Sequence, residues 1–153
     1  MARVVGIFIT GKKGSALSGV ERVRAVAGAG LEGDRYGAQA GTFSKKAAEP
    51  GRQITLIESE ALERLEREHG IALAPGASRR NVVTEGIALN DLVGKRFRVG
   101  AVECVGVKLC DPCGHLEKLT TRGVKRGLDN AGGLRADIVT GGELTVGDPI
   151  DVL

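Results

Sequence analysis

Twenty-four glycines punctuate this chain of 153 residues, about twice the usual share of that residue. They fall at the ends of short β-branched runs, where a turn between strands favours a residue without a Cβ. A chain divided this way has little room for long helices and must build its core from many short strands. Strands are expected at 3–9, 20–26, 53–57, 81–84, 96–109, 136–139 and 143–152, the last with a break at Asp148-Pro149, because proline cannot donate to a ladder. One helix is expected, with Ser59 as N-cap, Glu60 and Glu63 near the positive end of its dipole, Ala61, Leu62 and Leu65 as its apolar stripe, and Gly70 as its stop. A second, shorter helix is expected after Pro112, running through Leu116 and Leu119 to about Thr121. The segment 37–50 reads as a loop of the kind that often covers sites.

No internal repeat, low-complexity tract or linker divides the sequence, so a single domain over residues 1–153 is expected. Its fold class is read as mainly β: a barrel or barrel-like sheet with a few peripheral helices at its rim. The hydrophobic fraction of 42% includes only three Phe, one Tyr and no Trp, so the core must be aliphatic and closely interdigitated.

That shortage of aromatic residues, with 22 basic residues interspersed among 19 acidic ones, argues against a nucleic-acid partner. No apolar segment approaches the roughly 20 residues that span a bilayer, so no membrane partner is expected. The first ten residues read as a strand and not as a signal peptide, which makes the cytoplasm the expected location. Three cysteines, an odd number, argue against a secreted disulfide framework and leave metal binding or thiolate chemistry.

The most informative stretch is Leu109-Cys110-Asp111-Pro112-Cys113-Gly114-His115-Leu116. It follows a long predicted strand and leads into the second predicted helix, which puts Cys113 near a helix N-terminus. There the dipole and free N–H groups favour the thiolate, the form that attacks sulfur or ligates a soft metal. Two small side chains filling a turn would give the same spacing. Zinc is a competitor, since Cys104, Cys110, Cys113 and His115 together supply four possible ligands. Along one strand, however, Cys104 and Cys110 would lie about 20 Å apart at roughly 3.3 Å per residue, too far to share a tetrahedral ion. Cys104 reads as a core residue. A thioredoxin-like redox pair would need a βαβ pattern, which the sequence does not display. Cys110 could serve Cys113 as a resolving thiol, and His115 is either a proton donor or a capping residue at the surface.

Two further clusters carry charge. Gly30-Leu31-Glu32-Gly33-Asp34-Arg35-Tyr36 is either a tight turn approaching a ligand or a self-contained ion-paired loop. Pro75-Gly76-Ala77-Ser78-Arg79-Arg80-Asn81 places two guanidinium forks and an amide at the mouth of a predicted strand, a pattern suited to phosphate or carboxylate, or else a solvated pair at a loop end. Arg52-Gln53, Lys118 and Arg122 lie around these clusters. The segment 131–136 reads as a tight turn.

Taken together and in order, these pieces resemble the MOSC domain family: Gly-Leu-Glu-Gly-Asp-Arg-Tyr at 30–36, Arg-Gln-Ile-Thr-Leu-Ile-Glu at 52–58, Pro-Gly and Arg-Arg-Asn-Val-Val within 75–83, Leu-Val-Gly-Lys-Arg-Phe-Arg-Val-Gly at 92–100, Cys-Asp-Pro-Cys at 110–113 and Val-Gly-Asp at 146–148. The resemblance implies a barrel-like β fold that carries the molybdenum cofactor, a molybdopterin, or an activated sulfur. It implies that Cys113 is the key thiolate, as molybdenum ligand or sulfur carrier. It also implies that Arg79 and Asn81 match the family's Arg-x-Asn element, which helps hold pterin and phosphate, with Arg80 adding charge. Asp34, Arg35, Cys110 and His115 fall in the remaining motifs and complete the expected cofactor-binding set. No lysine has the context of a pyridoxal Schiff base, so no covalently bound pyridoxal phosphate is expected. Sulfur would come from a separate cysteine desulfurase. Reduction of N-hydroxylated compounds, the enzymatic alternative, would require electron-transfer proteins. A homodimer would complete a site that two-domain relatives complete with a second module. From a different class, the remaining alternative is a cofactor-free thiol redox or binding module.

Overall fold

The computed structural model describes residues 2–9, 18–32, 53–71, 80–110 and 132–153. Eleven strands and one α-helix account for most of them: β1 Arg3–Ile9, β2 Ser18–Val20, β3 Arg22–Val26, β4 Gly30–Leu31, β5 Ile54–Glu58, α1 Ser59–His69, β6 Val82–Glu85, β7 Arg96–Val99, β8 Val102–Leu109, β9 Leu134–Thr140, β10 Gly142–Thr145 and β11 Ile150–Val152. The mainly β reading therefore holds. The expected loop at 37–50 and the second helix after Pro112 lie outside the described residues.

Two sheets form. The larger has the order β11-β7-β8-β9-β5-β6-β1-β2, and the smaller the order β10-β3-β4. The larger ladder has two ends, so strand pairing does not close it into a barrel, which corrects that part of the expectation. It does curl back on itself. Arg3 forms an isolated bridge with Pro149, Val4 N–H donates to the Asp148 carbonyl over 2.9 Å, and Ile150 N–H donates to the Ala2 carbonyl over 3.0 Å. Pro149 has no N–H to offer, which is one reason the contact stays a bridge and does not extend into a ladder.

Where predicted strands are divided, a physical cause is visible. The segment 20–26 breaks at Glu21 because the chain changes sheets there: β2 pairs with β1, and β3 pairs with β10. The segment 96–109 is a hairpin turning at Gly100, whose φ of +59° suits glycine. The break at Asp148-Pro149 is present, and the Asp148 carboxylate accepts the Thr145 N–H over 2.8 Å to fix that turn.

Strand β5, Ile-Thr-Leu-Ile-Glu, is buried on both faces. It pairs in parallel with β6, and α1 makes the crossover between them, so the chain does contain one βαβ unit that the sequence did not display. Its glycine-free apolar run fits a strand covered on both sides. On one face, Ile54 and Leu56 join a core with Val4, Ile7, Phe97, Leu134 and, from the small sheet, Val23, Leu31 and Leu144. On the other, Ile57 and Val83 pack under Ala61, Leu62 and Leu65 of α1.

The helix starts one residue differently from the expectation. Glu58 occupies the N-cap position without a side-chain cap bond, and Ser59 is the first helical residue. Acidic side chains fasten this end to the chain beyond β6 instead: Glu58 accepts Leu89 N–H over 3.1 Å and Glu60 accepts Gly86 N–H over 2.8 Å. The other end stops as expected at Gly70, in the left-handed region at φ +67°, where Gly70 N–H bonds Glu66 O and Ile71 N–H bonds Leu65 O. Among the described residues, no helix is long and apolar enough to cross a membrane.

Candidate functional site

Of the residues that the sequence singles out, Arg80, Asn81 and Cys110 are described, whereas Asp34, Arg35, Arg79, Cys113 and His115 lie outside the described residues. Arg80 and Cys110 meet just before β9, while Asn81, next in the chain after Arg80, bonds to β5 and β1.

Arg80 and Asn81 lead into β6 and are both buried, at 8% and 3% exposure. Burying an amide or a guanidinium is costly unless its polar atoms are bonded, and each residue finds partners. The Asn81 Oδ1 accepts from both the backbone N–H and the hydroxyl of Thr55, over 3.1 and 3.2 Å. Asn81 N–H donates back to Thr55 Oγ1 over 3.0 Å, and its Nδ2 donates to the Phe8 carbonyl over 3.1 Å. Asn81 is thus a brace that ties β6 to β5 and β1 and fixes where Arg80 begins.

The Arg80 Nε–H donates to the carbonyl of Gly132 over 2.7 Å. The next residue, Gly133, accepts the backbone N–H of Cys110 over 2.7 Å. The start of β6 and the end of β8 are therefore held to the same two-glycine turn. Gly133 has a φ of +112°, and a Cβ there would overlap the Leu56 carbonyl oxygen, so only glycine lets the turn lie this close to β5. Cys110 is buried at 1% exposure and is not in a disulfide.

Cys104 is fully buried on the core face of β8, as a core residue should be. Burial, then the neighbouring carboxylates of Glu103 and Asp137, pushes its thiol up to about 12, which keeps it protonated and inert at neutral pH. Among the described residues, no group of three or more His, Cys, Asp or Glu side chains is placed to hold a metal ion.

Gln53 is a second buried brace, its Oε1 accepting Ile138 N–H over 2.8 Å. Arg135 escaped the sequence reading, which treats 131–136 as one turn. The turn ends at Gly133, and Arg135 sits in β9 opposite Thr55 on one side and Lys108 on the other. The alternation of Leu134, Ala136 and Ile138 with Arg135 and Asp137 was the available signal, because it marks a half-buried strand.

A curled, mainly β sheet with one βαβ insertion, whose cysteine-bearing strand end and arginine-bearing strand entry share a turn, defines a class of small β domain. The sequence matches the MOSC domain over residues 44–151, a span that includes Arg79 to Asn81 and Cys110 to Cys113, and the chain belongs to that family. Solved structures agree on the fold. The YuaD protein from Bacillus subtilis superposes with a TM-score of 0.81 at 19% identity, over 99% of this chain and 96% of that one. YiiM from Geobacillus stearothermophilus gives 0.75 at 16% identity, over 100% and 75% of the two chains. YiiM from Escherichia coli gives 0.69 at 20% identity, over 99% and 69%. No curated protein matches the sequence.

Proposed function

We propose that this MOSC protein binds the molybdenum cofactor, or carries sulfur destined for a metal–sulfur centre, through the thiolate of Cys113. The observation that carries the reading is the shared turn: Arg80 bonds Gly132 and Cys110 bonds Gly133, side by side. Arg79 is one peptide link from Arg80, and Cys113 is three links from Cys110, a reach of at most about 11 Å. The nearness of Arg80 and Cys110 supports a reading in which the anion-binding and thiol motifs serve one site.

The chemistry of this donor set suits such a ligand. Arg79 and Arg80 would hold its phosphate, since guanidinium forks match phosphate oxygens. Cys113 would supply the soft sulfur ligand that suits molybdenum, or the thiolate that takes the outer sulfur of a desulfurase persulfide, the donor's own thiolate being the leaving group. Asn81, with its amide bonded to Thr55 and Phe8, would act by fixing the backbone at Arg80. When bound, the cofactor would supply a redox-active metal centre; this chain would bind, orient and shield it. Electrons or sulfur would come from separate partner proteins.

The test is expression in cells that make the cofactor, followed by measurement of molybdenum, pterin and persulfide sulfur per mole of wild-type protein and of Cys113→Ser. The expected result is loading of the wild type and its loss in the variant. Equal loading in both would refute the reading.

A further inference from the structure

Lys108 and Arg135 stand directly opposite each other in the β8–β9 ladder. Like charges in that relation repel and weaken the pairing. Neither finds an acidic partner among the described residues, where the ion pairs are Arg3–Glu85, Arg22–Glu143, Arg64–Glu68 and Arg96–Glu103. Asp137, two residues along the same side of β9, has an interaction of its own. The more telling observation concerns Arg135 alone: its Nη1 is buried and has no hydrogen-bond partner among the described residues. Buried polar atoms are almost always bonded, and a guanidinium cannot shed its proton to escape the cost. Thr55, its neighbour on the other strand, already donates its hydroxyl to Asn81 Oδ1 and accepts Asn81 N–H.

We propose that Arg135 and Lys108 form an oxyanion site for a phosphate group, free or carried as a monoester. With the Arg135 side chain turned outward, its guanidinium fork would offer parallel N–H donors to two oxygens, including the Nη1 that lacks an acceptor in its buried position, and the exposed lysine ammonium would add a second charge from the adjacent strand. Two facing cations call for about two negative charges, which phosphate carries near neutral pH and a carboxylate does not. Binding would relieve the cross-strand repulsion and satisfy Nη1 together. The site lies in the β8–β9 ladder itself and requires neither molybdenum nor sulfur at Cys113, so it stands or falls apart from the function proposed above.

The experiment titrates inorganic phosphate into the full chain while following the arginine Nε–Hε resonances. The signal missing from Arg135→Gln is expected to shift saturably, and Lys108→Ala is expected to bind phosphate about tenfold more weakly, the loss of roughly one charge-assisted bond. Should Arg135→Gln fail to fold, Arg135→Lys, which has no guanidinium, identifies the same signal. A parallel titration with glycerol phosphate separates the sources: tighter binding assigns the site to an organic monoester, equal binding to the free ion. The proposal is overturned if phosphate leaves the Arg135 signal in place, if Lys108→Ala binds as tightly as wild type, or if chloride or acetate at equal ionic strength produces the same shift.

Discussion

Arg80 and Gly132, 52 positions apart in sequence, are joined by a buried 2.7 Å bond from the guanidinium Nε–H to the backbone carbonyl. The bond matters because the same turn also receives the N–H of Cys110. A side chain at the entry to one strand thereby sets where the cysteine-bearing end of another must lie.

Lysine at position 80 would keep the charge but lose the Nε donor and its planar fork. Arg80→Lys is expected to lower stability by about 1–3 kcal/mol, the range for a buried bond to a charged donor. Urea denaturation would measure that loss. Hydrogen exchange adds a sharper readout: the Cys110 amide should exchange faster in the variant, since its acceptor Gly133 belongs to the loosened turn. Unchanged exchange at Cys110 would mean that the two bonds are independent.

The pair Asn81 and Thr55 makes a second local prediction. Asn81→Ala leaves the buried Thr55 N–H without its side-chain acceptor and the part-buried Phe8 carbonyl without the Asn81 donor. The expected cost is about 3 kcal/mol, at one to two per orphaned group. Thr55→Val keeps the shape and removes one hydroxyl, costing about 1–2 kcal/mol. Because the residues serve each other, the double variant should be less destabilised than the sum of the two, by at least about 0.5 kcal/mol. Strict additivity in a denaturation cycle would contradict the reciprocal bonding described here.

Glycine positions should divide sharply. Gly133 combines a φ of +112° with a Cβ position that collides with the Leu56 carbonyl, backbone that cannot swing aside. Gly147 has a similar φ of +97° but nothing within 4 Å of a Cβ. Gly147→Ala should cost only the left-handed strain of roughly 1–2 kcal/mol. Gly133→Ala should cost more than about 4 kcal/mol and leave little folded protein. Comparable thermal midpoints for the two variants would show that the turn has room to relax.

Much of this architecture was readable because period and punctuation are local. The first strand, Arg3–Ile9, has its expected limits, and Gly70 ends its helix in the left-handed conformation expected of it. What was not readable depends on partners distant in sequence. Nothing near Glu21 announces that the chain leaves one sheet for another, because that choice is made by pairing with β1 on one side and β10 on the other. Ser59 has the composition of a cap, yet Glu58 and Glu60 find backbone donors 31 and 26 residues away, respectively, and fasten the helix that way. In the candidate site, residue type was legible and role was not. Asn81 was expected beside a ligand; the strands that hold its partners Thr55 and Phe8 were expected, but nothing in the sequence shows that they meet Asn81. Arg135 was hidden because the Gly132-Gly133 pair made its whole neighbourhood look like a turn.

Cys104 gives the last prediction, one of pH dependence. In the unfolded chain its thiol titrates near the ordinary value of roughly 8.5, whereas in the fold burial, and then Glu103 and Asp137, push it up to about 12. Below pH 8 both states hold the proton, and the residue contributes no pH dependence. Between the two values the unfolded state releases its proton and the folded state keeps it, so unfolding is favoured as pH rises through that window. The slope for one proton is about 1.4 kcal/mol per pH unit. Other groups titrate there as well, so the informative quantity is the difference between wild type and Cys104→Ala. Alanine costs packing at every pH, but it removes this titration. The stability gap between wild type and variant should therefore narrow by about 2 kcal/mol between pH 8 and pH 10, since the wild type alone loses stability through this thiol. Denaturation curves at the two pH values would measure it, and a gap that stayed constant would mean that the Cys104 thiol ionises as readily in the fold as outside it.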